Sequence, residues 1–279
     1  MVEPAQSAAD MATPAGWLGQ LALGFERRYG RTLLVKRRHR GPFTVQRAFY
    51  PEADYPHLYL LHPPGGVVGG DRLELSVSMG PDSHGLMTMP GATKFYRSAG
   101  ERACLTQHFT LAAGSTLEWL PQGNIFFPGA NVAIDSEFTL QAGARLLGFE
   151  TLCFGRPVMD EGFGGGKLDS RLRISLPGGP GLFERLHIDG GQLDKLGGYP
   201  LNATFFATPA TDEMLAGVRE VLSEAKLPAA GASLLDTLLV VRLLDHDNQR
   251  LQHLLHRMWI LLRPMMLGRA AVAPRIWAT

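Results

Sequence analysis

Apolar and polar residues alternate with a period of two over much of this chain. Leu73, Leu75, Val77 and Met79 alternate with Glu74, Ser76 and Ser78. Val132, Ile134, Ser136, Phe138 and Leu140 form a second set with one polar member, and Leu168, Ser170, Leu172, Ile174 and Leu176 a third. Leu182, Leu186 and Ile188 share a face with Glu184. Successive side chains of a strand point to opposite faces, so each set predicts a strand with one buried face. Glycine and proline punctuate the sets, at Pro90-Gly91, Gly164-Gly165-Gly166, Pro177-Gly178-Gly179-Pro180, Gly190-Gly191 and Gly197-Gly198. This spacing suits a two-sheet sandwich or a β-solenoid.

Near the C-terminus the period changes. Met214, Leu215, Val218, Val221 and Leu222 lie on one helical stripe, with Thr211 as N-cap, Asp212 and Glu213 in the first turn and Pro228 beyond the end. Leu251, Leu254, Leu255, Met258, Trp259 and Leu262 form a second stripe that stops before Pro264. The pattern predicts helices near 211–226 and 246–263, with one strand over 234–244 between them. Residues 1–14, rich in Ala and Pro, read as a loose tail, and 15–279 as one domain.

Charge narrows the function classes. Lys and Arg number 27 against 26 Asp and Glu, a formal net charge of +1, which gives no reason to expect nucleic acid or an anionic membrane as partner. Two cysteines, Cys104 and Cys153, lie far apart and point to a reducing compartment rather than a disulfide framework. No signal peptide is visible, and the run over 234–244 is too short to span a bilayer and is broken by Asp236 and Arg242. A cytoplasmic location is expected.

The segment His62-Pro63-Pro64-Gly65-Gly66-Val67-Val68-Gly69-Gly70-Asp71 has the most unusual composition. Proline fixes φ and glycine opens positive φ, so it encodes a shaped backbone that delivers Asp71 to the start of a strand. A phosphate loop is excluded, because no Gly-Lys-Ser/Thr follows and the next segment is not a helix. No G-x-S-x-G elbow appears. His253 and His256 could share a metal ion, but nothing like H-E-x-x-H surrounds them, and the reading as polar residues beside the helical stripe is preferred. Glu150 interrupts an apolar run over 146–154, and Glu184 sits on a predicted buried face. An inward carboxylate is costly unless paired or hydrated. Each is therefore one half of an ion pair, with Arg156 or Arg185 as partner, or part of a polar channel or transient cation site.

Taken in order, that Pro/Gly segment, Pro90-Gly91-Ala92-Thr93-Lys94-Phe95-Tyr96-Arg97-Ser98, Leu117-Glu118-Trp119-Leu120-Pro121-Gln122, Ile125-Phe126-Phe127-Pro128-Gly129-Ala130, Gly155-Arg156-Pro157, Glu184-Arg185-Leu186 and Arg275-Ile276-Trp277 closely resemble the urease accessory protein UreD family, called UreH in some bacteria. The resemblance runs from about residue 41 to the C-terminus. It implies a mostly β fold, a β-helical-type stack of many short strands with two C-terminal α-helices. It also implies a non-enzymatic chaperone that binds apo-urease with UreF and the GTPase UreG, two copies assembling around a UreF dimer. An internal polar tunnel would pass Ni²⁺ to the urease active site, with no tightly bound cofactor. On that reading Asp71, Glu150 and Glu184 are candidates for the nickel path, Thr93 and Arg156 for its lining or gate, and Phe126, Phe127, Trp259, Arg275 and Trp277 for partner interfaces. The competing readings are a metal-dependent hydrolase using Asp71, Glu150 or Glu184 as ligands, and a β-sandwich binding module with no metal role.

Overall fold

The computed structural model describes residues 16–227 and 229–278, so the tail expected over 1–14 lies outside the described residues. The strands are β1 (Leu18–Arg28), β2 (Arg31–Arg40), β3 (Thr44–Val45), β4 (Phe49–Glu52), β5 (Tyr55–Leu61), β6 (Arg72–Met79), β7 (His84–Thr88), β8 (Thr93–Phe95), β9 (Ala103–Leu111), β10 (Thr116–Leu120) and β11 (Asn124–Phe126). They continue with β12 (Asn131–Leu140), β13 (Arg145–Phe154), β14 (Lys167–Leu176), β15 (Gly179–Ile188), β16 (Leu201–Thr208), β17 (Ala229–Leu235) and β18 (Leu238–Asp245). Two α-helices, α1 (Asp212–Ala225) and α2 (Asn248–Leu267), flank the last hairpin.

The strands form a seven-stranded sheet, β15-β14-β12-β9-β6-β1-β2, and a second sheet whose path runs β17-β18-β16-β13-β10-β7-β5-β3. From β6 to β14 the chain alternates between the sheets, and each strand pairs in parallel with the one a full coil earlier. Leu73 stacks on Leu105, Leu105 on Ile134 and Ile134 on Ser170. This is a β-solenoid, closed off by antiparallel strands: β2 at one end, and β15 with β16 to β18 at the other. The first sheet covers the inner face of the second sheet and the two helices cover its outer face, hence its near-continuous apolar strands.

Three apolar clusters result. Two lie between the sheets, one around Leu75, Phe109, Trp119, Phe138 and Phe206, the other around Phe95, Phe126, Ile134, Phe154 and Leu168. The third packs the outer face of the second sheet, including Phe149, Phe205 and Val241, against α1 and α2. Alternation sets the split: Phe205 faces the helices and its neighbour Phe206 faces the solenoid interior.

The structure corrects the reading of two elements. Residues 234–244 are not one strand: β17 and β18 form a hairpin that turns at Asp236, which adopts φ 51°. Asp tolerates this left-handed conformation better than most residues, so the polar interruption marks the turn. Helix α2 does not stop at Pro264 but runs through it to Leu267, with Met265 and Met266 packed on the helix-side core. Tertiary packing here outweighs the cost of an interior proline. Helix α1 begins as expected, with the Thr211 hydroxyl accepting the Met214 N–H.

Candidate functional site: a polar belt inside the solenoid

Seven strands of the two sheets each place one polar side chain between the two interior apolar clusters. In the first sheet these are Gln107 on β9, Ser136 on β12, Ser170 on β14 and Glu184 on β15. In the second they are Glu150 on β13, Thr204 on β16 and Arg242 on β18. On β12, for example, Ile134 belongs to one apolar cluster, Phe138 to the other, and Ser136 lies between. Register sets two rows: Gln107, Ser136, Leu172 and Glu184 in the first sheet, with Ser170 one pleat off beside Leu186, and Glu150, Thr204 and Arg242 in the second.

Side chains link across the belt. Gln107 Nε2 donates to Ser136 Oγ (2.9 Å) and to Glu150 Oε1 (3.5 Å). Thr204 Oγ1 donates to Glu184 Oε2 (3.3 Å), and Arg242 Nε donates to Glu184 Oε1. That ion pair joins one sheet to the other at the solenoid's end. Behind it a cavity of about 40 Å³ is lined by Glu150, Ser170, Glu184, Asn202 and Thr204. Burial pushes the Glu150 carboxyl up to about 7, with the negative charge of Glu184 adding to the rise and a hydrogen bond with Ser136 opposing it. The belt thus offers oxygen donors, two of them carboxylates, in a setting where one carboxylate lacks a cationic partner.

The other candidate residues are not gathered here. Asp71 caps the Pro/Gly segment: its Oδ1 accepts the Trp17 N–H (2.8 Å) and its Oδ2 the Val68 N–H (3.0 Å). The segment itself forms a wall. Val67 is buried and pairs with Phe95, a Cβ on Gly66 would lie 2.3 Å from the Tyr96 ring, and Gly70 has φ 89°. Thr93 lines a separate cavity of about 250 Å³ with His62 and Pro63 to Gly66. Arg156 is bound to Glu161 and covers the Phe127 ring, on the rim of a third cavity of about 290 Å³. Cys153 also lines that cavity, and burial pushes its thiol up to about 11, so it is not a ready thiolate ligand. Arg185 pairs with Asp169, so the partner of Glu184 is neither of the arginines expected but Arg242.

Two interface candidates are core residues. Phe126 is fully buried between Phe95 and Phe154, and Trp259 is buried with its Nε1 donating to Glu118. Both belong to apolar rows that the fold covers with its own chain. Phe127 and Trp277 are half-buried and Arg275 is exposed. The Trp277 ring stacks on His256 and its Nε1 donates to Thr88 Oγ1 (3.0 Å).

Residues 18–278 match the family model of the UreD urease accessory protein. The chain belongs to the UreD family. Similar UreD urease accessory proteins include one from Pseudomonas putida (strain W619), 63% identical with 95% of each chain covered. Another, from Pseudomonas putida (strain ATCC 700007 / DSM 6899 / JCM 31910 / BCRC 17059 / LMG 24140 / F1), is 57% identical over the full length of both chains. That of Klebsiella aerogenes is 50% identical over 95% of this chain and 97% of its own. The UreD match therefore takes in both sheets, the belt and both helices.

Sequence reasoning alone missed five UreD belt members: Gln107, Ser136, Ser170, Thr204 and Arg242. The signal was available for two of them, since Ser136 and Ser170 are the polar members of otherwise apolar alternating sets. Also missed was a buried lock on the opposite face of the second sheet. Glu118, on β10, accepts from Arg263 Nε (3.0 and 3.1 Å) and Trp259 Nε1 (2.5 Å) of α2. Arg263 also donates to Glu52 (2.7 Å) and to the Ala270 carbonyl. Burial raises the Glu52 carboxyl, but hydrogen bonds from His57 and Arg263 outweigh it and hold the group below its ordinary value.

Proposed function

We propose that this chain is a non-catalytic scaffold of urease maturation, binding apo-urease together with UreF and UreG and helping nickel reach the active site along the polar belt. The observation that supports this most is the belt itself: a row of oxygen donors set through an apolar interior and ending at a carboxylate-lined cavity. An apolar interior would be more stable without it, because buried polar groups repay their desolvation only partly. Ni²⁺ accepts carboxylate, hydroxyl and water oxygens, and a path must release what it binds. Among the described residues no cluster of three or more His, Cys, Asp or Glu could hold an ion tightly. Dispersed oxygen donors of this kind suit passage of an ion more than a closed cage would. Arg242 holds the place of a cation at Glu184, which an arriving divalent ion would displace.

UreG, the GTPase, supplies nucleotide chemistry on this reading, and two copies of this chain assemble around a UreF dimer in the cytoplasm. The exposed parts of Phe127, Arg275 and Trp277 are the partner contacts available from the sequence candidates. Among the described residues no helix is long and apolar enough to cross a membrane.

The test is co-expression of Glu150→Gln and Glu184→Gln variants with urease, UreF and UreG. Both are expected to co-purify with UreF while urease nickel content falls several-fold. Normal nickel loading in both variants would remove the belt from the path. Failure of the wild-type chain to retain UreF would remove the scaffold.

A further inference from the structure

We infer that the outer half of β2, residues 35–40, is a docking edge for an extended acidic segment of a partner polypeptide. β2 is the terminal strand of its sheet and pairs only with β1, so one side of its backbone N–H and C=O groups is open. Lys36, Arg37, Arg38, His39 and Arg40 follow one another along that edge, and all are exposed. Among the described residues none of the five makes a salt bridge.

Their surroundings offset the charge only in part, through the single carboxylate Glu74. Lys36, Arg38 and Arg40 lie on one face at intervals of about 7 Å. Opposite them on β1 stand Gly24, Ala22 and Gln20, none of them acidic. Glu74, in the groove of about 250 Å³ lined by Arg38 and Arg40, is bonded to Gln20 Nε2 at 2.7 Å. A run this basic stands out in a chain whose net charge is only +1.

The occupant follows from two properties together. An open strand edge pairs with extended backbone, and alternating cations select alternating carboxylates. A second copy of this chain cannot pair edge to edge here, because the four cations Lys36, Arg37, Arg38 and Arg40 would face four others. Protection of the edge against aggregation needs charge of either sign. Docking needs positive charge, and that difference makes the two separable. The inference is independent of the nickel path.

The probe is an eight-residue peptide of alternating Glu and Val, fluorescently labelled, added to the full chain. Binding is expected by anisotropy, with affinity falling roughly tenfold between about 50 and about 200 mM salt. Slowed hydrogen exchange is expected at the amides of residues 35–40. The charge-reversed variant Lys36→Glu/Arg38→Glu/Arg40→Glu keeps a charged edge and should keep the wild type's oligomeric state while losing the peptide. If it fails to fold, Lys36→Gln/Arg38→Gln/Arg40→Gln replaces it with the same expectation. A peptide with Gln in place of Glu should not bind. Unchanged binding by the variant, no protection at β2, or tighter binding of an RNA oligonucleotide or anionic phospholipid vesicles than of the peptide would each overturn the assignment.

Discussion

Glu118 and Glu150 are both buried carboxylates on neighbouring strands of one sheet, yet they meet opposite conditions. Glu118 faces the helices, where a guanidinium and an indole N–H are fixed on it. Glu150 faces the solenoid interior, where its partners are neutral donors and its charged neighbour is another carboxylate. The first arrangement satisfies the charge and closes the space around it. The second leaves the charge partly unpaid and a small polar cavity beside it. The same side chain is thus a rivet on one face of the sheet and a carboxyl held by neutral donors on the other.

The largest break in that contrast comes from the rivet. Glu118→Ala leaves Arg263 buried without its main partner, and Arg263→Ala leaves Glu118 likewise. Loss of one member of a buried pair costs about 3–5 kcal/mol, so either variant should lower the urea midpoint sharply or fail to fold. Replacing both by apolar residues of similar volume should recover much of the loss.

Glu150 responds to pH in the way its environment dictates. An unfolded glutamate titrates near about 4.3. In the fold Glu150 is pushed up to about 7, so the folded chain holds this proton more tightly. Stability from the group is complete below the unfolded value and is lost as pH rises through about 7. The loss is roughly 3 kcal/mol, which Glu150→Gln should remove. Urea denaturation from pH 4 to 8 should show the variant gaining on the wild type across that window. A pH-independent difference would mean that Glu150 is as well compensated as Glu118.

The smallest effect is expected outside both sites. Asp71→Ala removes a carboxylate that accepts two backbone N–H groups and should cost about 1–2 kcal/mol. Thermal melting would register this as a shift of a few degrees. If urease nickel loading fell while the melting temperature held, Asp71 would belong with Glu150 and Glu184.

Much of this fold was legible in single strands. The alternating sets marked buried faces, and the helical stripes marked α1 and α2. What could not be read was height along the solenoid. Ser136, Ser170 and Glu184 are visible as polar exceptions, but only the pairing across coils puts Ser136 and Glu184 in the row of Gln107, with Leu172 between them and Ser170 one pleat away. That register depends on coil lengths and on which strands pair. Arg242 read as an interruption of an apolar run, since its partner Glu184 is 58 residues away. Glu118 stood out in no pattern, since its partner Arg263 is 145 residues away. The Asp71 turn, by contrast, is local, and the Pro/Gly composition already read as a shaped backbone delivering Asp71 to the start of a strand.

The span between Glu118 and Arg263 has a consequence for how the protein is made. Arg263 follows Glu118 by 145 residues. A ribosome adding about 5–20 residues each second takes on the order of ten seconds to cover that distance. Through that interval the nascent chain holds a carboxylate destined for the interior with no counter-charge yet synthesised. The coils can stack as they emerge, but the helix-side face of the second sheet stays unsealed until α2 is complete. Termination before Arg263 would leave that face open, a condition that quality-control proteases can recognise.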